Sequence, residues 1–210
     1  VSAVNEGDFS ASGKVATNTL SGSTTARVED SGLTAGGLLV EAVDRLSASA
    51  ETTPISLDLA YPLLFALQVD VAVARNSVDR SSDAHVSGSD VTVTGGDIAV
   101  SALSDRRLRA ESFATRVADS TLGVVGDNFA LTLGGLYAEN RVRGDVSAYA
   151  ADSTLTTLTG GDVRIEAADR SAIDATSELS MAATTEGDYF DSVGFGGALS
   201  AGVAVAYNSI

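Results

Sequence analysis

The sequence predicts an all-β chain of elongated repeat architecture, a parallel β-solenoid, with an array of antiparallel hairpins or a sandwich as the alternative. Three observations predict it. An Ala-x-Asn signature returns four times, as Ala3-Val4-Asn5, Ala74-Arg75-Asn76, Ala138-Glu139-Asn140 and Ala206-Tyr207-Asn208. Doubled glycines, Gly36-Gly37, Gly95-Gly96 and Gly160-Gly161, return in the same order, and each opens an apolar run. Period-two alternation dominates, while no segment sustains a 3.6-residue apolar stripe with helix caps. Landmarks kept at a period of about 65 residues mark stacked supersecondary units.

On these landmarks residues 1–78 form the first unit, of which 1–5 close a preceding one, and 79–142 and 143–210 form the second and third. The first unit is longer before its Gly-Gly, which is read as a loop insertion around 14–23. Strands are expected on both sides of each doubled glycine. Asp90-Val91-Thr92-Val93-Thr94 precedes the second and Ile98-Ala99-Val100-Ser101-Ala102-Leu103 follows it. In the third unit 153–158 and Val163-Arg164-Ile165-Glu166-Ala167 correspond. Each run alternates Val, Ile or Leu with Thr, Ser, Arg or Glu, as a half-buried strand does. The glycines sit where the chain turns sharply, and glycine tolerates positive φ there. Each unit ends in a long alternating run, such as 193–205, that leads into the asparagine signature. The phase shared by the two chain ends suggests a segment of a longer protein, or a building block whose ends continue into neighbours.

A unit this long is expected to divide into about three coils of twenty-odd residues, so that some nine coils, at roughly 4.8 Å each, make a rod on the order of 45 Å long. Equivalent asparagines would then lie three coils apart, out of contact, each fixing its own corner. A turn-tolerant residue is the simpler reading of the same asparagine.

Composition narrows the function classes. Acidic residues outnumber Lys and Arg by 28 to 13, giving a net charge of −15, and a polyanion is repelled by nucleic-acid phosphates. Aromatics supply only 5% of the chain, so Ala, Val, Leu and Ile must build the core, and stability must accumulate over many similar layers. With no cysteine, disulfide scaffolds and thiolate metal sites are excluded. The apolar stretch 55–74 contains Asp58, Pro62, Gln68 and Asp70, so no membrane-inserting helix is expected from it. Its end, Leu67-Gln68-Val69-Asp70-Val71-Ala72-Val73, alternates as a half-buried strand.

The Gly-Gly-Asp-Ile-x-Val turn and strand at 95–100, its counterpart Gly-Gly-Asp-Val-x-Ile at 160–165, and the Ala-x-Asn-x-[Val/Ile] endings resemble the repeat regions of very large bacterial surface proteins. These are the filamentous, haemagglutinin-like adhesins. The first unit departs from the pattern, with Leu38 where Asp follows Gly-Gly elsewhere. The resemblance implies a β-solenoid stalk, secreted to the cell surface, that serves attachment, biofilm cohesion or cell-to-cell contact. Partners would be the adjoining repeats or further copies along a fibre, together with cell-surface glycans.

Sites for chemistry are few, and no enzymatic turnover and no cofactor are expected. His85 is the single histidine, placed at the surface in a strand or turn, and it leaves one candidate general base. A carbohydrate-active β-helix enzyme, with Asp97 and Asp162 on one catalytic face, is one alternative. A calcium-dependent or glycan-binding adhesive module is the other. Among the acidic turns at Gly7-Asp8, Gly96-Asp97, Gly161-Asp162 and 186–191, the last offers the best cluster of oxygen ligands for Ca²⁺. Arg106-Arg107-Leu108-Arg109 is the one basic cluster, expected to form ion pairs with neighbouring strands.

Overall fold

The computed structural model describes residues 9–53, 65–121, 128–186 and 196–210. The chain is all-β, and among the described residues every strand pairing is parallel, which decides against the antiparallel alternative. Three successive stretches wind in a solenoid-like manner. The first holds β1 (Phe9–Glu29), β2 (Gly32–Ala35) and β3 (Leu38–Thr52). The second holds β4 (Phe65–Ser87), β5 (Asp90–Val93) and β6 (Ile98–Thr121). The third holds β7 (Asn128–Arg143), β8 (Val146–Ala151), β9 (Thr154–Thr157), β10 (Val163–Asp169) and β11 (Ala172–Glu186), after which β12 (Gly196–Ser209) begins a fourth.

Like strands stack on like. A front sheet runs β1-β4-β7-β12 with β8 also beside β4, a short end sheet runs β2-β5-β9, and a back sheet sets β3, β10 and β11 against β6. The repeat of about 65 residues is therefore one rung, and the expectation of three coils per unit is corrected. Leu67 pairs with Leu131, and Leu131 with Leu199. The length is taken up by the strands themselves. The 23 residues of β4 have a contour length of about 75 Å at roughly 3.3 Å per residue. The stack is correspondingly thin, three rungs and part of a fourth, and not a rod of nine coils.

Two further expectations change with the register. Residues 14–23 are no insertion: they lie within β1 and pair one for one with 72–81. Leu38 does not replace the Asp after Gly-Gly, because it pairs with Ile98, so the first turn is one residue shorter. The doubled glycines do lie at the passage from end sheet to back sheet, but positive φ occurs only at Gly160 among them. Close approach explains the second glycine of the two later pairs. A Cβ on Gly96 would sit 2.8 Å from the Gly36 carbonyl oxygen, and one on Gly161 would sit 2.0 Å from that of Gly96. No side chain fits between peptides stacked that tightly. The Asp97 carboxylate accepts the Asp162 backbone N–H at 2.9 Å, which ties the third turn to the second.

The core lies between front and back sheets and is built by parity. Even-numbered residues of β4 and β6 point inward, so Val86, Ala84, Ile98, Val100 and Ala102 meet Val91 and Val93 of the end sheet. Moving away from that end, Val78, Leu108 and Val142 form a second apolar patch, Ala50, Ala74, Ala110 and Ala138 a third, and Ala72, Ala114 and Leu136 a fourth. These residues are small, as the low aromatic content requires, and polar residues separate the patches.

Candidate functional site

One column of inward positions carries asparagine at every rung. Asn18 Nδ2 donates to Asn76 Oδ1 at 2.8 Å, Asn76 to Asn140 at 2.8 Å, and Asn140 to Asn208 at 3.1 Å. The second amide hydrogen crosses the core to a back-sheet carbonyl: Asn18 to Ser49 at 2.7 Å, Asn76 to Arg109 at 2.7 Å and Asn140 to Asp174. Asn76 and Asn140 are completely buried. Each side chain thus fixes the spacing between rungs and the distance between sheets together, which meets the demand that a buried amide be bonded.

Direct contact between these asparagines corrects the expectation that they lie too far apart to touch. Asn76, Asn140 and Asn208 are brought together as sequence repeats, but the first rung contributes Asn18 and not Asn5, which lies outside the described residues. Ala16-Thr17-Asn18-Thr19-Leu20 fits the Ala-x-Asn-x-apolar pattern fully, and Ala16 begins the alanine column Ala16-Ala74-Ala138-Ala206. That signal was present in the sequence.

Between the first and second core patches lies a buried ion cluster. Asp44, 3% exposed, accepts from Arg80 Nε at 3.0 Å and from Arg106 Nε at 3.1 Å. Arg106 is fully buried, and its Nη2 also donates to the Arg80 carbonyl at 2.6 Å. Of the basic cluster, Arg106 points inward while Arg107 and Arg109 stay outside, paired to Asp105 and Glu111. The expected ion pairs form, and one of them is in the core. The third rung accommodates the cluster by breaking both its strands at this level, β7/β8 at 144–145 and β10/β11 at 170–171. Gly144 has φ of +118°, and a Cβ there would lie 1.8 Å from the Arg80 carbonyl oxygen.

His85 is in β4 and only 8% exposed, more enclosed than a surface strand or turn would leave it. Its Nδ1 lies 2.5 Å from Asp83 Oδ2 and its Nε2 3.1 Å from Glu29 Oε1, and its ring stacks on Tyr149 at 4.9 Å. Ser147 Oγ donates to the other Asp83 oxygen at 2.5 Å, so the cluster ties three rungs together. A ring facing a carboxylate at both nitrogens is held as imidazolium. The Glu29 hydrogen bond raises its pKa from 6.5 against the cost of burial, and Asp83 adds to the rise. The folded value being the higher, this stabilisation is complete below pH 6.5 and is lost as pH rises through the folded value. The melting temperature of the chain should therefore exceed that of His85→Gln in mild acid, with the gap closing as pH rises through the folded value. A pH-independent gap would contradict the clamp.

The outer face of the front sheet is the last feature. In β4 the alternation over 67–73 is oriented opposite to a half-buried strand, with Gln68 and Asp70 inward at 3% and 2% exposure and Val71 outward at 49%. In the neighbouring rungs Val15, Leu133, Leu199 and Val203 are likewise exposed. Ser12 donates to Asp70, and Thr132 Oγ1 to the Ala182 carbonyl at 3.4 Å, so polar groups share this part of the interior with Ala72 and Leu136.

Of the remaining candidates, Asp97 and Asp162 lie at stacked turns, joined by the bond already described. Gly7-Asp8 and positions 187–191 of the acidic cluster lie outside the described residues. Among the described residues no three His, Asp or Glu side chains are grouped so as to hold a metal ion, and no helix is long and apolar enough to cross a membrane. No protein-family model matches the chain, and neither a curated protein nor a solved structure does.

Proposed function

We propose that the chain is a non-catalytic structural segment of an extracellular bacterial filament or adhesin stalk, supporting attachment or cohesion. The observation that supports this reading is the sameness of its rungs. Among the described residues, asparagine, alanine and stacked-turn columns recur from rung to rung, so these polar links are spread along the stack. Backbone ladders between parallel strands are suited to carrying tension, and each asparagine adds a side-chain link at the same level. The front sheet has β1 and β12 as its outer strands. Strand edges of this kind pair readily with a further rung or another copy, which makes end-to-end extension the natural mode of assembly. Cell-surface glycans would be met by polar outer positions, and the stalk itself would turn nothing over.

Electron microscopy of the concentrated chain, with fibre diffraction, tests this. Filaments whose strands lie across the axis, with a meridional spacing of about 4.8 Å, are expected. Discrete particles that never extend and that cleave a polysaccharide would refute it.

A further inference from the structure

We propose that the apolar outer face of the front sheet is a lateral packing surface for a second copy of this chain, which lays the same face of its own front sheet against it. This contact is side by side, so it goes beyond end-to-end extension and does not depend on it.

The inverted pattern is the first argument. Along 67–73 of β4 and its register partners in the other rungs, outward positions carry no charged side chain, while Gln68, Asp70 and Thr132 stand inside beside Ala72 and Leu136. Leaving Val71, Leu133, Leu199 and Val203 in water forfeits the stabilisation that burial supplies, at roughly 25 cal/mol per Å².

The surface is also one-sided. Ser112 Oγ reaches the Ala72 carbonyl across the core, so the back sheet at this level is the stretch around 112. Its outer positions there include exposed Glu51 and Glu178, together with Phe113 and with Glu111, which is paired to Arg109. A chain embedded in a bilayer needs an apolar exterior around its whole circumference. One flat apolar face backed by one that carries exposed carboxylates fits another sheet, packed about 10 Å away.

Charge and shape favour a second copy over an unrelated partner. At a net charge of −15, two chains meeting by other faces would bring carboxylates together, whereas this face carries none. Contact through one shared patch requires self-complementarity. Val71 and Val203 flank Gly135, where a Cβ would meet nothing within 4 Å, and together with Val69, Leu133 and Ala201 they line a shallow groove. A two-fold related copy can set its valine ridge into that groove.

Area sets the strength. The seven residues of 67–73 span about 23 Å along the strands and four rungs about 19 Å, so pairing buries on the order of 900 Å² in total. That lies below a standard specific interface and in the range of weak, transient contacts, so a reversible dimer that forms at high protein concentration is expected. Each added rung would lengthen the same stripe.

Sedimentation velocity over a concentration series tests the proposal, on the chain, on Val71→Lys, and on Leu39→Lys as a control. Leu39 is 65% exposed but lies on the back sheet. Reversible dimerisation is expected, weakened at least about tenfold by Val71→Lys and unchanged by Leu39→Lys. Should Val71→Lys fail to fold by circular dichroism, Val203→Lys on the edge strand takes its place. A chain that stays monomeric to about 1 mM overturns the proposal, as does association that Val71→Lys leaves intact. Binding of the monomer to phosphatidylcholine vesicles that Val71→Lys abolishes would assign the face to lipid instead. A monomer whose melting temperature drops sharply in Val71→Lys would mean that the chain covers the face itself, and either result rejects the second copy. Failure of filaments to form would leave the lateral dimer standing, so the two readings are separable.

Discussion

Replacing Asp44 with alanine is expected to destabilise the chain by about 3–5 kcal/mol, the cost of breaking a buried ion pair by removing one partner. The carboxylate is the counter-charge for two guanidinium groups, and Arg106 has no route to solvent. Arg80, partly exposed, can turn outward; Arg106 would stay charged and unpaired in the core. Urea unfolding measures the loss as a lower midpoint at unchanged slope. The double variant Asp44→Leu with Arg106→Met should recover most of it, because apolar replacement of a buried pair is often neutral or stabilising. A loss below about 1 kcal/mol in Asp44→Ala would mean that the pair is solvated and that its placement between the sheets is wrong.

The second large effect is at Asn76. Its replacement by alanine removes the bond received from Asn18 and those given to Asn140 and the Arg109 carbonyl. Three groups lose a partner inside the core, and a loss of about 2–4 kcal/mol is expected. Asn208 is the outermost member of the ladder and exposed, so Asn208→Ala should cost under about 1 kcal/mol. Equal losses at the two positions would show that each asparagine acts alone at its turn and that no ladder couples the rungs.

Much of this arrangement is legible in the sequence, and what is not has physical reasons. Alternation, the absence of helix pattern and the repeated landmarks predict parallel stacked β units, and the register agrees. The size of a rung is not legible, because ordinary strands run about five or six residues and 65 residues then suggest several coils. An uninterrupted alternation such as that of β4 carries no internal mark of where a coil could end. Asn18 is obscured by Asn5, which carries the same Ala-x-Asn signature nearer the start of the chain, although Ala16-Thr17-Asn18 fits the pattern better. Parity alone would have placed Arg106 inside, since it continues Val100, Ala102 and Ser104. The Asp-Arg pair of the second unit is displaced by one residue relative to Asp44-Arg45, and that displacement turns the arginine from the surface into the core. Polarity over 67–73 was not legible at all. A period of two looks the same whichever face is inward, and only the opposing sheet decides.

Successive repeats lying on adjacent rungs is the claim on which the ladder, the ion cluster and the outer face all depend. Ser77 and Arg141 are register partners on the outer side of β4 and β7, 64 residues apart in sequence, and the chain has no cysteine of its own. In the double variant Ser77→Cys with Arg141→Cys, neighbouring Cα atoms about 5 Å apart suit a disulfide. Mild oxidation of the folded monomer should close it within one chain, seen as a mobility shift and loss of both free thiols. Thiols that both remain open to alkylation would place the repeats on separate coils and contradict the account.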